Sequence, residues 1–507
     1  MGGGNKIKSV AVIGAGAAGA VTAAALKAEE AFDVIRVFER RECAGGTWQD
    51  AQLHVTNLRI YDPGVQPNVL VRPGALPAEI DPPLEIPQSL PTVTRPNQQE
   101  RFSTTPIYDS LTTNVPEIAM SFSDVRFPYG PFAPHHIPRQ YIENYFALHK
   151  TDSFLVLNTT VEDILKINHP SNDGSTQWKL TLRKYDALQK ADIWWEETFD
   201  AVILANGHYS VPTIPRVKGL EEYIEKYPGR IVHSKSYRSP SIYKSKRVLV
   251  IGNSASGTDL SRELISTAQL PVYQSKRSKT WWEGDSPPAG IEWKPVISEY
   301  LPDGRILFDD GTYLDDIDTV IYCTGYRPSY PFWNAKKNGQ PLWDDKTGRL
   351  VKSYWHTFFQ DFPNLGIVGL PRVLTFRSFE YQAIALSRLF ANRNPIPLPP
   401  IPEQQAWEND RAELTTREHR KFHDIKWEDG ETHEWLQGFF KWSGLGTLTG
   451  QGRIPPPLTK EMVWAIENLK KYRPPSSDGK LDSSDYPREA HEWIVVENRK
   501  RDVLGFI

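Results

Sequence analysis

The chain opens with an unbroken apolar stretch, SVAVIGAG, then an Ala-rich segment, AAGAVTAAALKAEE, then a second apolar run, DVIRVFE. Continuous apolar runs of this length read as strands buried on both faces. The small residues between them read as a helix that packs close. The unit is strand, glycine loop, helix, strand over ~30 residues, the size of a βαβ crossover. The same order returns at KRVLVIGNSASGTDLSRELI, followed by VYQSKRS. Between the two units, FLVLNTTVEDILKI, QWKLTLRKY and FDAVILANG carry strand-like patterns. DTVIYCTGYRP adds another buried strand, and NLGIVGL leads into a helix, FEYQAIALSRLFA. A Pro-rich stretch from Pro63 to Pro96 has neither period and reads as a long surface loop; a lid or substrate-access element is its functional alternative. The last hundred or so residues, rich in Trp, charge and Pro, read as a helical extension.

Composition narrows the class. A chain of 507 residues can hold two or three domains. Charged residues at 24% and hydrophobic ones at 39% fit a soluble globular enzyme, and a net charge of −3 gives no reason to expect nucleic acid or an anionic membrane as partner. The only cysteines are Cys43 and Cys323, which excludes a disulfide framework, a zinc-ligand spacing and a CxxC redox pair. A reducing compartment is implied, and electron relay through a disulfide is disfavoured. No stretch is long and apolar enough for a membrane span. The first strand begins almost at once, so no cleavable leader is expected and the cytoplasm is the expected location.

The first loop carries Gly14, Gly16 and Gly19 in the GxGxxG spacing. Gly14 allows the tight turn, Gly16 the approach of a pyrophosphate, and Gly19 close packing of helix on strand. At the helix start, Ala17 and Ala18 lie between these glycines, where free N–H groups and the positive dipole end favour phosphate. Glu39 ends the second strand, about twenty-five residues past Gly14, where a carboxylate accepts hydrogen bonds from ribose hydroxyls. Soon after comes CAGGTW. GAGAAG, Glu39 and GGTW together resemble the FAD-binding start of the flavin-containing monooxygenase family. That resemblance implies that Gly46, Thr47 and Trp48 line the flavin side of the site.

The second loop, Gly252-Asn253-Ser254-Ala255-Ser256-Gly257, has Ser254 where the middle glycine usually stands. In the family such a loop is similar to the NADPH site, with Gly252, Ser254, Ser256 and Gly257 as contacts. The next strand ends in Ser275, Lys276 and Arg277 rather than in an acid. Arg277 stands at the same offset from Gly252 as Glu39 does from Gly14, and a guanidinium there can grip a 2′-phosphate. A solvated charge run is the bland alternative. Two such loops in one chain imply FAD plus a nicotinamide, with hydride passing between them.

Further motifs separate the subclasses. Tyr227-x-Gly229-x-x-x-His233-x-x-x-Tyr237 is similar to the family's FxGxxxHxxxY/F motif, with Tyr in the first position. The ketone-oxidising relatives continue theirs with Trp; here Arg238 follows. His233 is expected to set linker geometry rather than to move protons. LTTNVP is similar to the family's LxTNxP segment. Carried over, it puts Thr113 and Asn114 at the cofactors, with the Asn114 amide as the catalytic group beside the flavin. ANG and YCTGY resemble the two crossings between domains, with Cys323 a buried strand residue. Glu380 and Gln382 begin a helix that, by resemblance, points at the flavin, with Gln382 as a contact.

The expected fold is α/β, with two dinucleotide-binding Rossmann-like domains and the NADP domain inserted into a discontinuous FAD domain. Residues 1–211 form the first part of the FAD domain, with a Pro-rich insertion at 63–107. Residues 212–329 form the NADP domain, 330–395 the second FAD part, and 396–507 the C-terminal extension. The expected enzyme uses FAD, NADPH and O2, forms a flavin C4a-hydroperoxide and oxygenates sulfur or nitrogen of a small molecule. A Baeyer–Villiger ketone oxygenase, an NADPH oxidase and a non-catalytic dinucleotide-binding regulator are the alternatives. No metal is expected. The substrate, the pathway and the oligomeric state, a homo-oligomer included, stay open.

Overall fold

The computed structural model describes residues 7–49, 71–97, 104–130, 132–170, 174–280, 283–371, 376–394, 396–427, 430–443, 451–457 and 459. Among the described residues its largest sheet has seven strands, and five neighbouring ones come from distant parts of the chain. In spatial order these are Phe362–Ile367, Ala201–Leu204, Ser9–Ile13, Val34–Phe38 and Leu155–Val156, all parallel. Val12 pairs with both Val37 and Ile203. Two short antiparallel strands, Ser353–Tyr354 and Phe358–Phe359, finish one edge. The apolar run at the start of the chain is what a central parallel strand requires, since both its faces are covered. Val10, Ala11 and Val12 are fully buried.

On one face lie the helices Ala17–Ala28 and Phe376–Phe390. Ala20, Ala23 and Ala24 let the first approach closely, and Gly366 does the same for the second: a methyl at Gly366 would stand 2.4 Å from Leu386 Cδ2. On the other face lies an antiparallel sheet of Thr159–Asn168, Thr176–Asp186 and Ala191–Phe199, with Trp178, Leu180 and Leu182 in the shared core.

The second unit is a five-stranded, all-parallel sheet. Its order is Ile231–His233, Thr319–Tyr322, Arg247–Ile251, Gln269–Ser275 and Ile291–Lys294. The helix Ala255–Leu264 follows its central strand. The chain enters this unit and leaves it side by side, as Val211–Pro212 pairs antiparallel with Tyr326–Arg327.

One region corrects the reading from sequence. Part of the Pro-rich stretch is not loop: Pro77–Ile80 is a helical turn, and Thr92–Thr94 adds a strand to the edge of Ala191–Phe199. Three residues are too short for a period to show, and the partner strand lies a hundred residues on. The Trp194 indole fixes the pairing by donating to Thr94 Oγ1 at 2.9 Å. The extension supplies two helices, Ile401–Arg417 and Glu431–Ser443; the chain from 460 onward lies outside the described residues. Among the described residues no helix is long and apolar enough to cross a membrane.

Candidate functional site

The two glycine loops are built alike. Gly14 has φ +105° and Gly252 φ +109°, a region that side chains rarely adopt. A Cβ on Gly19 would stand 1.9 Å from Gly14 O, and one on Gly257 2.1 Å from Gly252 O. Each helix therefore starts in contact with the first glycine of its own loop. Neither helix has a side-chain cap or an acid in its first turn, so the leading N–H groups stay open to an anion.

Each loop also rests on a crossing. A Cβ on Gly14 would meet Ala205 O at 2.6 Å, and one on Gly252 would meet Cys323 O at 2.9 Å. The chain thus passes between the two sheets close to a glycine loop in both directions. Burial pushes the Cys323 thiol up to about 12, so it is a packing residue under the second loop and not a nucleophile. His233, fully buried, bonds Gly325 O at 3.1 Å through Nε2 and accepts the Lys235 N–H at Nδ1, 3.0 Å. Burial lowers its pKa to about 3. It joins the incoming linker to the second crossing as a neutral ring.

Around the first loop the sequence-predicted residues converge. A Cβ on Gly46 would lie 2.7 Å from Gly16 Cα, so the GGTW turn sits directly on the loop. Gly16 has to be small for the Gly46 backbone as well as for any phosphate. Trp48 meets Phe376, the first residue of the Phe376–Phe390 helix, edge to face at 6.4 Å. A Cβ on Gly369 would lie 3.8 Å from the Ala18 side chain. The buried Thr47 Oγ1 has no hydrogen-bond partner among the described residues. A groove of open N–H groups with an unmatched buried hydroxyl beside it fits a dinucleotide with a polar ring. Glu39 holds the loop by accepting from Ala15 N at 2.8 Å and from Arg41 N at 3.0 Å.

Asn114 is exposed, and no hydrogen bond engages its amide among the described residues. Arg277 is likewise exposed, two residues past the Gln269–Ser275 strand, and has no ion pair among the described residues. Ser254 is exposed at its helix start, and Ser256 is half-buried.

Three expected cofactor contacts have other duties in the structure. Gln382 is fully buried: its Oε1 accepts from Gly369 N at 3.1 Å, and its Nε2 donates to Leu370 O and Thr357 Oγ1. It clamps the turn beside the loop and has no face left for a ligand. Ser275, 3% exposed, donates to Pro295 O at 2.7 Å. Thr113, 1% exposed, exchanges hydrogen bonds with the Ala133 backbone, and so braces Asn114 from behind.

Two residues were missed. Arg453, from the C-terminal segment, donates to Glu380 at 2.6 Å and pairs with Asp124 at 3.1 Å, tying that segment to the start of the Phe376–Phe390 helix. Lys235 is buried between the crossings and donates to Ser210 O at 2.6 Å; burial, with Arg40 and Arg41 nearby, lowers it to about 7. No local pattern marks either. A cavity of about 460 Å³ opens between the C-terminal helices against Trp355, Trp407 and Trp435, and no residue of either glycine loop lines it.

Residues 90–300 match the family model "Flavin-binding monooxygenase-like", and residues 12–67 match "NAD(P)-binding Rossmann-like domain". Flavin-containing monooxygenase FMO GS-OX5 of Arabidopsis thaliana is 30% identical over 405 residues, 77% of this chain and 75% of the relative. The chain belongs to the flavin-containing monooxygenase family. Flavin-containing monooxygenase iboF of Amanita muscaria is 27% identical over 505 residues, 88% of this chain and 90% of its own. The S-allyl-L-cysteine S-oxygenase of Allium sativum has the same fold, with a TM-score of 0.70, 24% identity, and coverage of 97% of this chain and 98% of that one. As a family member the protein is an oxidoreductase that works with a flavin and a nicotinamide dinucleotide. The resemblance seen in GAGAAG, GGTW and the two loops thus stands, and a non-catalytic regulator is set aside.

Proposed function

We propose an FAD- and NADPH-dependent monooxygenase that oxygenates sulfur, ahead of nitrogen, in a small organic molecule. In this reading residues 1–211 and 330–395 form the FAD domain and 212–329 the NADPH domain. Gly14, Gly16, Ala17, Ala18 and Gly19 hold the FAD pyrophosphate, with Gly46, Thr47 and Trp48 along the flavin. Gly252, Ser254, Ser256 and Gly257 hold that of NADPH, and Arg277 grips its 2′-phosphate. Reduced flavin, when bound, supplies the activation of O2.

The observation that carries the substrate class is the position of Arg238. A free cation beside the reacting oxygen would stabilise an anionic oxidant and favour attack on ketones. Arg238 is 4% exposed, and its guanidinium donates to the carbonyls of Lys235, Tyr237 and Thr105. It locks the linker and faces no substrate. The polar group offered toward a bound flavin is then the neutral amide of Asn114, which supports electrophilic transfer to a soft nucleophile. Such attack needs no strong acid or base, so the chain's task is to exclude water and position the reactants. The test is NADPH-dependent O2 uptake across thioethers, amines and cyclic ketones. Coupled turnover of thioethers supports the reading, and coupled lactone formation with thioethers ignored refutes it.

A further inference from the structure

Around the second loop, one carboxylate bonds residues on both sides of Arg277, Lys276 before it and Thr280 after it. The Glu283 side chain is 5% exposed. Its Oε1 accepts from Asn253 Nδ2 at 2.7 Å, and its Oε2 accepts from Lys276 Nζ at 3.2 Å and from Thr280 N at 3.2 Å. Asn253 is the second residue of the glycine loop. Its Nδ2 also donates to Ser278 O at 2.6 Å, and its own carbonyl accepts from Thr280 Oγ1 at 3.0 Å. Lys276, Ser278 and Thr280 are therefore all tied back to the loop, directly or through Glu283. Arg277 stands between two of these tethered residues.

The pairing also sorts the cations. Lys276 is held by Glu283 and lies 3.1 Å from the centroid of the Trp293 ring. Trp293 Nε1 donates to Gln274, whose own amide donates to Gly252 O and Gly257 O. Lys276 is thus built into the floor of the loop, which leaves Arg277 as the cation of the SKR run without a partner among the described residues. A single guanidinium on a pinned backbone reads a phosphate through geometry, because little backbone freedom remains to be lost on binding.

We infer that Glu283, acting through Asn253 and the tethered Lys276–Thr280 segment, is a positioning residue for Arg277 and thereby sets the preference for a 2′-phosphorylated dinucleotide. The inference rests on the proposed reading of the second loop as an NADPH site.

The test is calorimetric titration of the full-length protein with 2′,5′-ADP and with 5′-AMP, which differ only by the 2′-phosphate. Arg277→Ala lowers the affinity ratio by about tenfold or more, the loss of one charge-assisted contact. Glu283→Ala and Asn253→Ala each lower it about fivefold, with 5′-AMP affinity within twofold of wild type. Glu283→Gln falls between wild type and Glu283→Ala, since its single amide oxygen can accept from Asn253 or from Thr280 but not from both. In turnover, KM for NADPH rises in both alanine variants while kcat holds. An unchanged ratio in Arg277→Ala refutes the NADPH reading itself. A fall there, with the ratio unchanged in Glu283→Ala and Asn253→Ala, or with both nucleotides weakened equally, overturns the inference alone. Should Glu283→Ala fail to fold, Asn253→Ala decides.

Discussion

Replacing Gly19 or Gly257 with Ala adds one methyl to each nucleotide loop at the same geometric point. At Gly19 the methyl carbon would stand 1.9 Å from Gly14 O, and at Gly257 2.1 Å from Gly252 O. Side-chain carbons essentially never approach within 3.0 Å, so the helix start must back away from the loop by about 1 Å. Overpacking of this kind costs about 1–3 kcal/mol, and the better helix propensity of Ala returns about 1 kcal/mol. Both variants should fold, with a modest fall in melting temperature. Binding suffers more. If the shift spoils two charge-assisted N–H contacts of ~1.5–3 kcal/mol each, affinity falls on the order of 10²–10⁴-fold. Flavin occupancy from the absorbance spectrum, with NADPH binding by titration, reads both effects. Gly19→Ala should purify colourless. Gly257→Ala should stay yellow but reduce its flavin only at far higher NADPH. A fully yellow Gly19→Ala protein, or flavin lost from Gly257→Ala alone, would refute the assignment of the two loops.

Asn114→Ala should keep flavin and NADPH oxidation but release more hydrogen peroxide per NADPH, because in its proposed role the amide acts on oxygen transfer and not on hydride delivery; coupling at the wild-type level would contradict that role. The buried His233 gives a pH dependence. Its folded-state pKa, lowered by burial to about 3, lies below the unfolded ~6.5, so the unfolded chain binds the extra proton. Its contribution is complete above pH ~6.5 and is lost as pH falls toward 3, amounting to about 2 kcal/mol by pH 5. His423, also buried and lowered to about 3, adds in the same direction. Apparent melting temperature should drop between pH 7 and 5, and less steeply in His233→Asn; equal slopes would show that His233 is not the linked group.

Both loops were legible in the sequence because their logic is local. The spacing of Gly14, Gly16 and Gly19, a strand before and a helix after, needs no distant partner to interpret. The same holds for Arg277, placed by its offset from Gly252. Gln382, Ser275 and Thr113 were given cofactor contacts because a polar residue in a family motif looks available. Their actual partners, Leu370 and Thr357, Pro295, and Ala133, come from other segments, and only folding brings them within hydrogen-bond reach. The approach of Gly46 to Gly16 was hidden for the same reason, as was the grip of Arg453 on Glu380 across 73 residues. Arg238 shows the opposite case. Its place in the linker was foreseen, but whether its charge was spent or free depended on three carbonyls that no pattern announces.

The central claim is that one oxygen atom from O2 ends on a soft nucleophile. Turnover of a thioether under ¹⁸O2 with NADPH, followed by mass spectrometry of the sulfoxide, measures it directly. The account predicts a sulfoxide carrying a single ¹⁸O atom, with NADPH used in near one-to-one ratio to product. Sulfoxide that lacks the label, or NADPH consumed to hydrogen peroxide with every thioether and amine left unchanged, would contradict it.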